Sequence, residues 1–183
     1  MSAAEIRPAR PEDCASIATV HVAAWRETFR GLLPEAVIAA QDQAAREALW
    51  RPRLEAPPPD SAVLVAEEGP GGPLVAFGAC GPQRGTALPF PGEFHALYVL
   101  RRAQRAGIGR ALMRGMAACL LGHGFDAASL WVLRANLAAR AFYTELGGTL
   151  VGARENPELG GAPEVAFAWR DLRALAGPGG PGR

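Results

Sequence analysis

The chain has 183 residues, 49% of them hydrophobic and 20% charged, and a formal net charge of +1. That suffices for one ordinary domain burying roughly 70% of the surface its unfolded form exposes, with no disulfide or metal staple needed. The near-neutral charge gives no reason to expect a nucleic acid or an anionic membrane as partner, and no apolar run approaches the ~20 residues that span a bilayer.

In chain order, the opening MSAAEIRPAR carries charges where a signal peptide needs an apolar core, which points to the cytoplasm. Residues 5–9 suit a short first strand. Pro11, Glu12 and Asp13 then open a helix whose apolar positions Ile17, Val20, Ala24 and Phe29 follow helical spacing. Gly31 and Pro34 end it and begin a second helix over about residues 35–54, closed by the APPPD loop. Two β runs, 62–67 and 74–80, flank a GPGGP connection suited to a hairpin, and residues 81–92 form a loop. A central strand over 93–99 leads through an Arg- and Gly-rich turn into an amphipathic helix over about 107–121. A strand at 129–133, a helix over about 137–146 ending in Gly147 and Gly148, and strands at 149–153 and 165–169 complete the plan. This is a mixed α/β order without internal repeat: one domain over residues 1–176, then a Pro/Gly-rich tail over 177–183 expected to be disordered. Cys14, Cys80 and Cys119 are odd in number and set among apolar residues, so they read as small buried hydrophobes, not as metal ligands or disulfides.

The stretch 93–113, EFHALYVLRRAQRAGIGRALM, organises the rest. A strand that runs through a glycine turn into a helix makes an anion site, because the first helical amides have no intrahelical acceptor. Gly107 and Gly109 let the backbone approach phosphate oxygens and take positive φ where needed; alternatively they serve only the tight turn.

Gln104-Arg105-Ala106-Gly107-Ile108-Gly109 fits a Q/R-x-x-G-x-G/A signature after a strand ending Leu97-Tyr98-Val99. Downstream, Asn136-Leu137-Ala138-Ala139-Arg140-Ala141-Phe142-Tyr143 fits N-x-x-A-x-x-F-Y. With both motifs in this order, the chain resembles the GNAT-type acyl-CoA-dependent N-acetyltransferases over nearly its whole length. Residues 25–34, WRETFRGLLP, are similar to a segment of one bacterial branch of that family. The resemblance implies a central mixed, mostly antiparallel sheet of about seven strands flanked by four helices. It implies acetyl-CoA as co-substrate, no metal, and a small-molecule or peptide amine as acceptor. A homodimer is a further expectation, since dimers are common in the family.

The resemblance also implies site residues. The CoA diphosphate falls to Gln104, Arg105, Ala106, Gly107, Ile108, Gly109 and Arg110, and the pantetheine arm to the backbone of Leu97, Tyr98 and Val99, beside the strand at 129–133. Asn136 is a contact to that arm, though an N-cap role fits it as well. Tyr143 is the general acid toward the leaving thiolate; packing beside Phe142 is the alternative. An amine of pKa about 10.4 needs roughly 4 to 5 kcal/mol to reach its neutral form at pH 7, so a base is wanted. Glu93 is the first candidate, directly or through water. Period-2 alternation puts His95, a second candidate, on the same face as Glu93 and away from Phe94 and Tyr98. Relatives carry a glutamate five residues before the Asn, and here that position is Trp131, a departure suggesting a more apolar acceptor pocket. From the end of the first helix, Trp25 and Glu27 are candidate acceptor contacts; a core Trp and a solvated Glu are the alternative. Around them Glu164 suits a cationic amine while Arg26, Arg30 and Arg154 suit an acidic one, so the acceptor stays open. No Cys or Ser pairs with an evident base, which favours direct transfer in a ternary complex. The alternatives are a non-catalytic acyl-CoA-binding or regulatory module and an unrelated nucleotide-binding domain.

Overall fold

The structure, a computed structural model, describes residues 4–177, so the expected tail beyond Gly177 lies outside the described residues. Seven strands form one sheet: β1 (Glu5–Pro8), β2 (Ala62–Glu67), β3 (Leu74–Pro82), β4 (Gly92–Val99), β5 (Ala128–Leu133), β6 (Thr149–Asn156) and β7 (Ala162–Trp169). Their spatial order is β1-β2-β3-β4-β5-β7-β6, and among the described residues only β4 and β5 run parallel.

Among the described residues six helices pack around the sheet: α1 (Cys14–Phe29), α2 (Glu35–Ala39), α3 (Gln43–Glu55), α4 (Ile108–Gly122), α5 (Leu137–Glu145) and α6 (Leu172–Ala176). Two features separate these six from the expected four. The helix expected over 35–54 is broken, because the Asp42 carboxylate accepts from the Ala45 amide at 2.8 Å and starts α3 afresh as an N-cap. The short α6 follows β7, capped by Asp171, with Leu172 and Leu175 buried against the core.

Both sheet faces are covered. Ile108, Leu112, Met113, Met116 and Leu120 of α4 meet Phe94, Leu130, Val132 and Phe167 on one face, joined by Tyr143 and Leu146. On the other, Ile17 and Val20 of α1 and Trp50 and Leu54 of α3 meet Val65, Phe77 and Ala79. Burying a large apolar side chain of this kind contributes about 1.5–3 kcal/mol, which makes these two layers the main source of stability. The loop at 83–91 is pinned as well, since Leu88 and Phe90 are buried against Ala166 and Ala168.

One irregularity positions the site. Cys80 pairs with Phe94 and Ala79 with Ala96, leaving His95 as an extra residue in β4. A bulge of this kind shifts the alternation by one. Phe94, Leu97 and Val99 therefore pack on the α4 face, while Ala96 and Tyr98 pack on the α1/α3 face. Glu93 pairs with Gly81, which shares the Phe77 and Ala79 face of β3. Glu93 and Tyr98 thus lie on one face, which corrects the alternation expected from sequence; only Phe94 faces the other way.

Candidate active site

β4 and β5 pair only at Gly92 with Ala128 and at Glu93 with Ser129. Beyond that point β3 holds β4 as far as Val99 and β7 holds β5 as far as Leu133, so the two parallel strands splay apart. The divergence begins at the His95 bulge, where added twist turns the rest of β4 away. The Leu100 amide donates to Val75 O at 2.9 Å, so strand alternation directs the peptide groups of Leu97 and Val99 toward the open edge. Around this wedge lies a cleft of about 1990 Å³, lined from both faces of the sheet. Single-ligand pockets run about 300–1,000 Å³, so there is room for two substrates end to end.

At one mouth of the cleft a 3-10 turn, Arg101–Ala103, leads into the loop before α4. Among the described residues the backbone amides of residues 105–110 donate to no protein acceptor; the first α4 bond is Ala111 N to Gly107 O at 3.0 Å. Arg105 and Gly107 have φ of 65° and 80°, and these left-handed steps fold the six amides into a concave nest at the positive end of α4. Gly107 is needed for its φ. Gly109 is needed for space, since a Cβ there would stand 3.3 Å from Phe142 Cζ. The Gln104 side chain ties the loop back to β4 by donating to Val99 O at 3.0 Å. Arg110 lies 4.0 Å from Glu145 of α5.

Asn136 caps α5, its Oδ1 accepting from the Ala139 amide at 3.2 Å, and lines the cleft. Two turns later Tyr143 is buried between Phe142, Phe167 and Trp169, and among the described residues its phenol makes no hydrogen bond. Burial pushes the phenol up from its ordinary pKa, so it stays a proton donor throughout the neutral range.

On the other side of the wedge, Glu93 is 2% exposed and held by Arg84 through the Arg84 amide at 2.8 Å, Nε at 3.2 Å and Nη2 at 2.6 Å. His95 Nε2 lies 3.0 Å from Pro82 O and 4.0 Å from Glu93 Oε2. A carbonyl only accepts, so Nε2 carries the hydrogen and Nδ1 is the basic nitrogen. Burial lowers the His95 pKa, assisted by the Arg84 charge, so the ring is neutral at pH 7. Ser129 Oγ donates to Gln83 Oε1 at 2.8 Å beneath this pair.

The farther wall comes from α1, α3 and β7. Trp25 packs on Phe29 and Tyr98, at 4.5 and 6.3 Å between ring centroids. The Glu27 carboxylate accepts from the Arg101 amide at 2.7 Å, so it caps the turn before the amide nest. Trp131 lies under the Arg154 guanidinium at 4.1 Å, and Arg154 is in turn bonded to buried Glu164 at 2.7 Å. Tyr98 stacks 4.5 Å from His21, whose Nδ1 accepts from Trp50 Nε1 at 3.0 Å. Burial pushes the Tyr98 phenol up to about 12 and holds His21 neutral, with a pKa down at about 3.

The residues expected at the site from sequence border this cleft or its amide nest, except Arg26 and Arg30, which do not line it. Sequence reasoning passed over Arg84, Gln83, Ser129, His21 and Arg46. Arg84 sits in an unremarkable turn, and Arg46 lies in an Ala-rich helix with nothing local to mark it. Among the described residues no group of three or more His, Cys, Asp or Glu is placed to hold a metal. No helix among them is long and apolar enough to cross a membrane.

The acetyltransferase (GNAT) family profile matches residues 10–148. An uncharacterized N-acetyltransferase, YuaI of Bacillus subtilis, is 34% identical over 172 residues, which is 93% of this chain and 95% of that one. Among solved structures, the PaiA N-acetyltransferase of Thermoplasma acidophilum in complex with coenzyme A superposes with a TM-score of 0.69 at 19% identity, covering 92% of this chain and 100% of that one. A putative acetyltransferase of Salmonella typhimurium, yncA, with acetyl-CoA gives a TM-score of 0.70 at 21% identity, covering 94% and 95%.

Proposed function

Because the chain belongs to the GNAT acetyltransferase family and is an acetyl-CoA-dependent N-acetyltransferase, we propose that it moves the acetyl group onto a primary amine by direct attack within a ternary complex. The observation that carries this reading is the set of unsatisfied amides at 105–110, at the mouth of a wedge whose strand edges are open. The diphosphate of CoA fits the amide nest, and the amide-bearing pantetheine arm fits as a strand beside the Leu97 and Val99 peptide groups, with Asn136 alongside. The thioester then lies near Tyr143, whose phenol donates to the sulfur as negative charge grows there.

The amine enters from the α1/α3 side. Neutral His95, with Nδ1 free, takes the proton from the ammonium, and Glu93, anchored by Arg84 and 4.0 Å from the ring, stabilises the imidazolium that results. Glu93 is a weaker direct base, because three bonds from Arg84 already engage its oxygens. A cytoplasmic setting agrees with three free cysteines, two of them buried.

The test is a titration with acetyl-CoA followed by thiol release on a panel of amines. Micromolar binding with release on at least one amine is expected. Binding without release across the panel supports the alternative, an acyl-CoA-binding regulatory module.

A further inference from the structure

Arg46 is the one arginine of the cleft wall whose surroundings do not account for its charge. It projects from α3 with its guanidinium 5.1 Å over the Trp25 ring. Among the described residues it forms no ion pair and its side chain makes no hydrogen bond, and its Nε is fully covered. Trp25 beside it is 7% exposed and likewise carries a buried Nε1 without an acceptor. Its chain neighbour Glu47 binds Gln43 and Arg51, and of the cleft's other carboxylates Glu27 binds the Arg101 amide, Glu93 binds Arg84 and Glu164 binds Arg154. Partial burial pulls the Arg46 pKa down, in keeping with a half-buried cation that no carboxylate compensates. A guanidinium half-buried against an aromatic ring, unpaired and with its terminal nitrogens open to the cleft, is placed to receive a ligand of opposite sign.

The cofactor's own phosphates are not that ligand. Arg46 and Trp25 belong to the α1/α3 face, whereas the amide nest opens onto the α4 face, with the sheet between. Resting on the acetyl-transfer reading above, we infer that the acceptor is an amine that also carries a small oxyanion, a carboxylate or phosphonate, which Arg46 binds against the Trp25 ring. The planar guanidinium fork suits a two-oxygen anion. The aromatic floor of Trp25, Phe29 and Tyr98 suits an apolar stem between the two charged ends. A polyamine would set an ammonium against Arg46 and is disfavoured.

The experiment compares three probe series in thiol release: α-amino acids, their carboxamides, and the matching aminoalkylphosphonates. Expected is a kcat/KM for acids about 10- to 100-fold above that for amides, the range a charge-assisted contact supplies. Arg46→Gln should collapse that ratio toward one, and Arg46→Lys should keep part of it. Arg51→Gln, on the solvent side of the same helix, should leave it as in the parent. The phosphonate series decides which oxyanion is preferred. Amides or plain amines turned over as well as acids would overturn the inference while leaving acetyl transfer intact. Acetyl-CoA binding with no release from any probe would overturn the transfer reading instead, and the anion question then passes to binding. There, tryptophan quenching by N-acetyl amino acids that their amides do not match, and that Arg46→Gln abolishes, supports Arg46. Equal quenching, or none, overturns it.

Discussion

The two ends of the cleft are built from different parts of the chain. The end proposed for the cofactor is made of backbone: six amides at 105–110 and the peptide edges at Leu97 and Val99, all within one strand-turn-helix segment. The end proposed for the acceptor is made of side chains: Trp25 from α1, Arg46 from α3, Glu93 and His95 from β4, Glu164 from β7. A backbone site tolerates almost any side chain except where φ or close approach excludes one. A side-chain site changes its preference with one substitution.

The sharpest way to separate the two ends is Tyr143→Phe, which should lower kcat by about 100-fold or more while acetyl-CoA affinity stays within about twofold. Thiol-release kinetics and calorimetric titration read the two quantities. An unchanged kcat on a true acceptor would remove Tyr143 from the chemistry.

A second test addresses the acceptor end through His21. Its folded pKa is about 3 against an ordinary 6.5, so the unfolded chain binds the proton first. The stability that neutral His21 supplies is complete above about pH 6.5 and lost as pH falls toward 3, with about 2 kcal/mol gone at about pH 5. His21→Gln should flatten the fall in melting temperature between pH 7 and 5. The lowered pKa of Asp13 acts only below its ordinary value and falls outside that window.

Gly107→Val probes the cofactor end, where φ is 80°. Forcing a branched residue into the left-handed region costs about 1–2 kcal/mol, so acetyl-CoA affinity should weaken about tenfold while discrimination among acceptors is preserved. The smallest effect concerns the seam between the two ends. Glu27→Ala removes the cap on the Arg101 amide, and losing such a cap costs about 1 kcal/mol. The melting temperature should drop by about 2–4 °C in a chain of this size.

The same contrast explains what the sequence disclosed. The strands, the long helices and the anion turn are local patterns, carried by alternation, helical spacing and two glycines whose separate needs, φ at Gly107 and space at Gly109, both appear in the structure. The break at Asp42 and the short α6 were written only in single capping residues, Asp42 and Asp171, which helical spacing does not weigh. Arg84 and Arg46 acquire meaning only through partners distant in the chain, or through the lack of them. The face of Tyr98 was misjudged because a bulge is a property of two strands together, and neither strand announces it alone.

That bulge has a consequence for how the enzyme can change. His95 acts as a phase shift: residues before it and after it are counted on opposite parities of the same strand, yet Glu93 and Tyr98 arrive on one face. Replacing His95 alters one functional group. Deleting it would join Phe94 to Ala96 in a regular strand, leaving Glu93, Ala96 and Tyr98 on one face and Phe94, Leu97 and Val99 on the other, and would remove the added twist that turns β4 from β5. What the extra residue supplies is therefore not the facing of its neighbours, which a regular strand would keep, but the local twist at which β4 and β5 part.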